Sequence, residues 1–331
     1  MKLTLGRSIP GSIALAVIGV ASLLPLPAAA QAPYPSKVIR LVVPLAPGGP
    51  SDILARTMAQ QMTPGLGQTI VVDNRTGAGG TIGIDNAAKS APDGYTMLLV
   101  AVATYTINAN LYQKLPYDSR KDLSPVSILA GAPYILVVHP SLPVKDLKGL
   151  IALAKAKPNA LNYASGGTGT GPQMAFELLK LKTGMQIVHI PYKGTGPALT
   201  DLIGGHEQVS LLNMIAVLPV VKSGRLRGIA VSGPKRSPQL PNTPTIEEAG
   251  LPGFEEVGGH MIMVPAATPK DIVARLYQEM SKALQTPEVK ARLESEGAEV
   301  MAKNPEESAA IVRADLDKWA EVIRKTGIKA D

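Results

Sequence analysis

The sequence predicts an α/β fold with a largely parallel sheet, and three observations predict it. Short apolar, β-branched segments alternate with segments whose apolar residues recur at helical spacing. At residues 46–52 and 163–172, a strand segment gives way to a helical one through a run rich in Gly, Ser and Thr. Strong turn signals such as Ala91-Pro92-Asp93-Gly94 punctuate the pattern. In such sheets ligands settle beyond the carboxyl ends of strands, so these junctions are the first candidates for a site. At 331 residues the chain is long enough for two domains or one large one.

Residues 1–30 stand outside this pattern. Lys2 and Arg7 precede an apolar run over 13–24, and Ala28-Ala29-Ala30 follows. A basic start, a short apolar stretch and an Ala-x-Ala site describe a secretory signal peptide, with cleavage expected after Ala30. No later segment is apolar and long enough to span a bilayer. The expectation is an exported, free periplasmic protein.

The first strand segment is 38–43, ended by Pro44. Ala46-Pro47-Gly48-Gly49-Pro50-Ser51-Asp52 then opens a helix with Ile53, Leu54, Met58 and Met62 on one face, and Ser51 or Asp52 is the expected N-cap. A strand at 68–72 leads into a glycine-rich loop over 73–83 and a short helix at 85–90. Residues 95–103 read as a strand ending at Thr104-Tyr105-Thr106, with a helix starting near Ile107 and Asn108. A strand is expected at 133–139, and a helix at 144–157 stopped by Pro158.

Tyr163 to Pro172 repeats the layout of the first junction, and its helix carries Met174, Leu178 and Leu181. Glycines let backbone approach a ligand, and a helix N-terminus offers free N–H groups and a positive dipole end. Strand, Gly/Ser/Thr loop and helix start is a recipe for holding an anion. Strands follow at 186–190, 209–212, 227–231 and 261–264, with a helix capped by Thr195 and a Pro-rich loop at 234–252. Thr268-Pro269 and Asn304-Pro305 start the last two helices.

Composition narrows the chemistry. Hydrophobic residues make up 45% and charged residues 18%, as in an ordered globular protein. Cysteine is absent, which excludes disulfides, thiol catalysis, Cys-bound metal and a lipid-anchored cysteine. The net charge of +7 is spread along the chain, and aromatics are only 4%, which disfavours nucleic acid and suits small anions.

Ser165 invites a nucleophile reading, but Tyr163 stands where the Gly-x-Ser-x-Gly elbow needs glycine. Neither Gly-rich loop ends in the Gly-Lys-Ser/Thr of a P-loop. His139, His189, His206 and His260 lack paired metal spacing, so no metal or other cofactor is expected. His139 and His189, at strand ends, read as structural. Lys193, inside a Gly loop, is either a neutralising charge for a bound anion or a surface lysine.

Several segments together point to a known family. These are Pro35-Ser36-Lys37-Val38-Ile39-Arg40, Ala46-Pro47-Gly48-Gly49 with Asp52, and Val71 through Gly80. To them are added Ala91-Pro92-Asp93-Gly94-Tyr95-Thr96, Leu115-Pro116-Tyr117-Asp118, Pro191-Tyr192-Lys193-Gly194 and Glu248-Ala249-Gly250-Leu251-Pro252-Gly253. From about Tyr34 onward the chain resembles the periplasmic solute receptors of tripartite tricarboxylate transporters, the Bug or TctC-like family.

The resemblance implies a two-lobed Venus-flytrap fold, each lobe an α/β sheet. One lobe would comprise 31–131 and 254–331 and the other 132–253. It also implies a small carboxylate gripped between the two lobes and handed, by a monomer, to small and large membrane subunits; presentation of the ligand to a membrane sensor kinase is an alternative. A secreted hydrolase using Ser165 is the remaining alternative. The site would comprise Pro47, Gly48, Gly49, Ser51 and Asp52 from one jaw, and Ser165, Gly167, Thr168, Gly169 and Thr170 from the other, with Thr104 and Lys193 beside them. The chain departs from the family pattern at Gln173, Leu212 and Gly259-His260, where relatives often carry His, Asp and an aromatic pair. Leu212 in place of Asp disfavours an α-amino ligand and favours a plain carboxylate.

Overall fold

The computed structural model describes residues 33–326 and 328; the expected signal peptide lies outside them. From Tyr34 on, the described residues form one compact unit.

The chain begins with β1 (Ile39–Val43), α1 (Pro50–Leu66), β2 (Ile70–Asn74), α2 (Thr81–Ala88), β3 (Thr96–Ala101) and α3 (Val102–Leu111). Parallel pairing of β1 with β2 and β3 sets Ile39 against Ile70 and Arg40 against Thr96. A 16-residue strand, β4 (Leu123–Val138), then leads into α4 (Leu147–Ala156), β5 (Asn162–Ser165), α5 (Gly171–Thr183) and β6 (Val188–Pro191). Next come α6 (Thr195–Ile203), β7 (Val209–Asn213), α7 (Met214–Lys222) and β8 (Arg227–Val231), and β5 lies parallel to both β6 and β7. The chain returns through β9 (Val257–Pro265) and ends with α8 (Lys270–Gln285), α9 (Pro287–Ser295), β10 (Glu299–Val300) and α10 (Pro305–Thr326).

The strand order is β2-β1-β3-β9-β4-β7-β5-β6, with β8 and β10 attached to β4. The expected parallel pairing holds at both flanks, whereas β9 and β4 are antiparallel to their neighbours. The reason is connectivity. Residues 123–133 of β4 pair with β9, and residues 134–138 pair with β7, so β4 runs from one lobe into the other. β9 brings the chain back. The fold is therefore a two-lobed flytrap joined by crossing strands.

Apolar packing is continuous across the join: Leu54 and Met58 of α1 share one cluster with Ala198 and Leu202 of α6 and Met214 and Val217 of α7. The second lobe has a further core, where the Tyr163 and Phe176 rings stack with centroids 3.9 Å apart. The final helix α10 is fastened to α3 by Thr106 Oγ1, which donates to Asp315 Oδ2 at 2.6 Å.

Several local expectations change: β4 starts at Leu123 and not at 133, and α2 spans Thr81–Ala88 and not 85–90. α1 begins two residues early, with Gly49 as N-cap and Pro50 in the first turn, so Ser51 and Asp52 lie inside the helix. α3 starts directly at Val102, which places Thr104 in its first turn. Thr195 begins α6, but Gly194 is the cap. Pro269, not Thr268, caps α8.

Candidate functional site

At the carboxyl ends of the parallel strands the two lobes meet around a partly open cavity of about 30 Å³, room for about two waters or one carboxylate head. Five helices start at its wall. Pro50 and Ser51 come from α1, Ala101 and Thr104 from the start of α3, and Thr170 and Pro172 from the start of α5; Thr195 comes from α6 and Asn213 from the cap of α7. Leu45, Tyr134, Gly166, Gly258 and His260 complete the lining.

Four of the five N-caps, Gly49, Ala101, Thr170 and Gly194, give no side-chain cap to their helix. Only Asn213 does, accepting from Ile215 N–H at 3.1 Å. A helix start without a cap leaves its first N–H groups in need of an acceptor. Each start adds the positive end of a dipole, about half an elementary charge. The lining contains no lysine, arginine, aspartate or glutamate, so backbone alone gives the cavity its positive character.

The walls are held by ordinary polar bonds. Gly48 N–H donates to Asp52 Oδ2 at 3.0 Å, and Arg56 binds both oxygens of that carboxylate from one helical turn on. Burial pushes the Asp52 carboxyl up, but the bonds from Arg56, Gly48 and Asn74 outweigh it and hold the group below its ordinary range. Asp52 thus shapes the first jaw and does not face the cavity. Asp52→Ala is expected to cost about 1–2 kcal/mol in urea unfolding, because Gly48 N–H loses its acceptor. A depressed carboxyl stabilises above the ordinary Asp range and loses that contribution as pH falls through the lower folded value. The difference between wild type and variant should therefore vanish in acid.

In the second jaw Thr170 Oγ1 donates to Gly167 carbonyl at 2.7 Å, and Gly169 N–H donates to Gln173 Oε1 at 3.2 Å. Ser165 is fully buried below the loop, accepting from Gly167 N–H and lying 2.7 Å from His189 Nε2. The jaws touch through Ala46 N–H, which donates to the Lys193 carbonyl at 2.9 Å. Glycines make that approach possible: a Cβ on Gly196 would collide with the Pro47 carbonyl oxygen, and one on Gly79 with the Thr168 carbonyl oxygen.

Of the residues singled out from sequence, Ser51, Thr104 and Thr170 line the cavity. Pro47, Gly48 and Gly49 form the contact with Thr195 and Gly196, and Thr168 that with Gly79. Gly167 faces the Tyr192 carbonyl, and Gly169 faces Asn108. Lys193 engages through its carbonyl while its side chain is exposed. Sequence reasoning missed Tyr134, Thr195 and Asn213 as lining residues and noted His260 only as a departure. A signal existed for Asn213, an Asn immediately before an apolar run. Among the described residues, no group of three His, Asp or Glu side chains converges as a metal site, and no helix is long and apolar enough to cross a membrane.

A model of the tripartite tricarboxylate transporter family receptor matches residues 54–328. The chain belongs to this family. It is 39% identical to protein BugT of Bordetella pertussis over 89% of this chain and 91% of that one. Among solved structures, an R. palustris protein with adipate is 34% identical, with a TM-score of 0.87 over 90% of this chain and all of that one. MatC from Rhodopseudomonas palustris with bound malate is 32% identical, with a TM-score of 0.85 over 88% of this chain and all of that one. Members of this receptor family are periplasmic binding proteins, and the two-lobed architecture described above is theirs.

Proposed function

We propose that this protein is a periplasmic receptor that closes on a small carboxylate and delivers it to the small and large membrane subunits of a tripartite transporter. The observation that carries this reading is the convergence of five helix N-termini on one cavity whose lining has no lysine or arginine. Such a site suits a compact anion held by N–H groups. It forms only when the lobes meet, so binding and closure are one event. Adipate and malate in the relatives' structures support the carboxylate class.

In this reading residues 31–131 and 254–331 move against 132–253, turning about the stretch where β4 changes partner after Pro133. Ser51, Thr104 and Thr170 meet the ligand. Pro47, Gly48, Gly49, Asp52, Ser165, Gly167, Thr168 and Gly169 shape the jaws, and the Lys193 carbonyl latches them. The protein acts as a monomer, carries no catalytic group, and leaves the membrane after cleavage behind Ala30.

Calorimetry against a panel of dicarboxylates, tricarboxylates and aromatic acids tests the reading. At least one should bind the mature protein below millimolar concentration, and silence across the panel removes the receptor reading. The Ser165–His189 contact is the one observation on the side of a hydrolase. The serine lies beneath the loop, its hydroxyl oxygen accepting from the Gly167 N–H, and is absent from the cavity wall. Wild type and Ser165→Ala should therefore show the same background rate on ester substrates; turnover that disappears with the serine restores the enzyme reading.

A further inference from the structure

One lining residue has no structural employment. His260 lies on β9 between Ala101 of β3 and Ala130 of β4 and lines the cavity. It is 1% exposed, and neither Nδ1 nor Nε2 has a hydrogen-bond partner in the protein. Burying such a ring unpartnered is unfavourable, and native proteins seldom do it without a function.

We propose that His260 sets the ligand class: it hydrogen-bonds the hydroxyl of a 2-hydroxycarboxylate whose carboxylate lies against the surrounding helix N-termini. This rests on the receptor reading above. Size comes first. The cavity is about 30 Å³ and His260 and the helix starts line it together, which puts the ring beside the place of the carboxylate head. Complementarity follows. Burial pushes the imidazole down to about 4, so at neutral pH it holds one N–H donor and one bare nitrogen acceptor. A hydroxyl both donates and accepts and satisfies either nitrogen. A hydrogen in its place satisfies neither. Tyr134, the other titratable group in the lining, is pushed far up by burial and stays neutral as well.

The test compares acids that differ only by the hydroxyl, lactate against propionate and malate against succinate, by calorimetry on the mature protein. Wild type should prefer the hydroxy acid by about 30-fold or more, as sites that bond a hydroxyl do. His260→Leu should bring each pair to within about threefold while keeping the affinity for the deoxy acid, since only the hydroxyl's partner is gone. His260→Gln, which retains a donor and an acceptor, should keep much of the preference. Ligand-free His260→Leu should melt above wild type, because an unpartnered polar ring has left the interior.

A wild type that binds propionate or succinate as well as its hydroxy partner overturns the inference, and so does a preference that survives in His260→Leu. Binding of other carboxylates but none of these four overturns the inference and leaves the receptor intact. Silence across the whole carboxylate panel overturns both.

Discussion

Gly196→Ala is expected to cost this receptor much of its affinity while leaving the ligand-free protein as stable as before. Gly196 lies in the first turn of α6, where alanine is a better helix former than glycine. Its obstacle is across the cleft: the new methyl collides with the Pro47 carbonyl oxygen once the jaws shut. Forced overlap in packed protein costs roughly 1–3 kcal/mol, which is about 5- to 150-fold in affinity. Because the clash exists only in the closed form, the loss belongs to binding. Calorimetry and thermal melting of the same preparation separate the two. Equal affinity in variant and wild type would mean that ligand binding does not require these jaws to meet.

Ser51→Asp should abolish binding and leave the protein folded and no less stable. Ser51 is buried in the first turn of α1 and lines the cavity. A carboxylate placed there sits where the ligand's own carboxylate would lie. Two like charges about 4 Å apart repel by about 4 kcal/mol at the effective dielectric of a protein, close to a thousandfold in affinity. The helix start meanwhile welcomes a negative charge. The expected pair of results is no calorimetric signal with malate or adipate, and a melting temperature equal to or above wild type. A variant that melts lower and still binds would show that α1 does not point at the ligand.

Much of the fold was legible because apolar periodicity and Gly/Pro punctuation agree along most of the chain. β8 at Arg227–Val231 and α10 from Pro305 fall where the residues put them. The errors share a cause, tertiary context overriding local preference. Val102 and Ala103 read as the end of a strand and 104–106 as its exit, yet these residues begin a helix held to α10. β4 was seen only at its end, since Pro125 and Pro133 argue against a long strand; the register with β9 slips between Pro125 and Ser127, where a proline is tolerated. α7 went unread because it is apolar on nearly every side and carries Pro219 inside.

The cavity was half legible for a different reason. Ser51, Thr104 and Thr170 stand at strand ends, and strand ends can be found locally. Tyr134, Thr195, Asn213 and His260 come from four separate elements of the middle and return segments. Only the crossing of β4 and β9 brings them to one place, and no spacing in the sequence records that.

The most direct measurement is the crystal structure of the mature protein with the tightest-binding acid of the panel. The ligand carboxylate should lie in the cavity between Ser51, Thr170 and Thr195, its oxygens within about 3 Å of backbone N–H groups from at least two helix starts, directly or through one water. A carboxylate bound instead to lysine or arginine side chains outside the cleft would contradict the account.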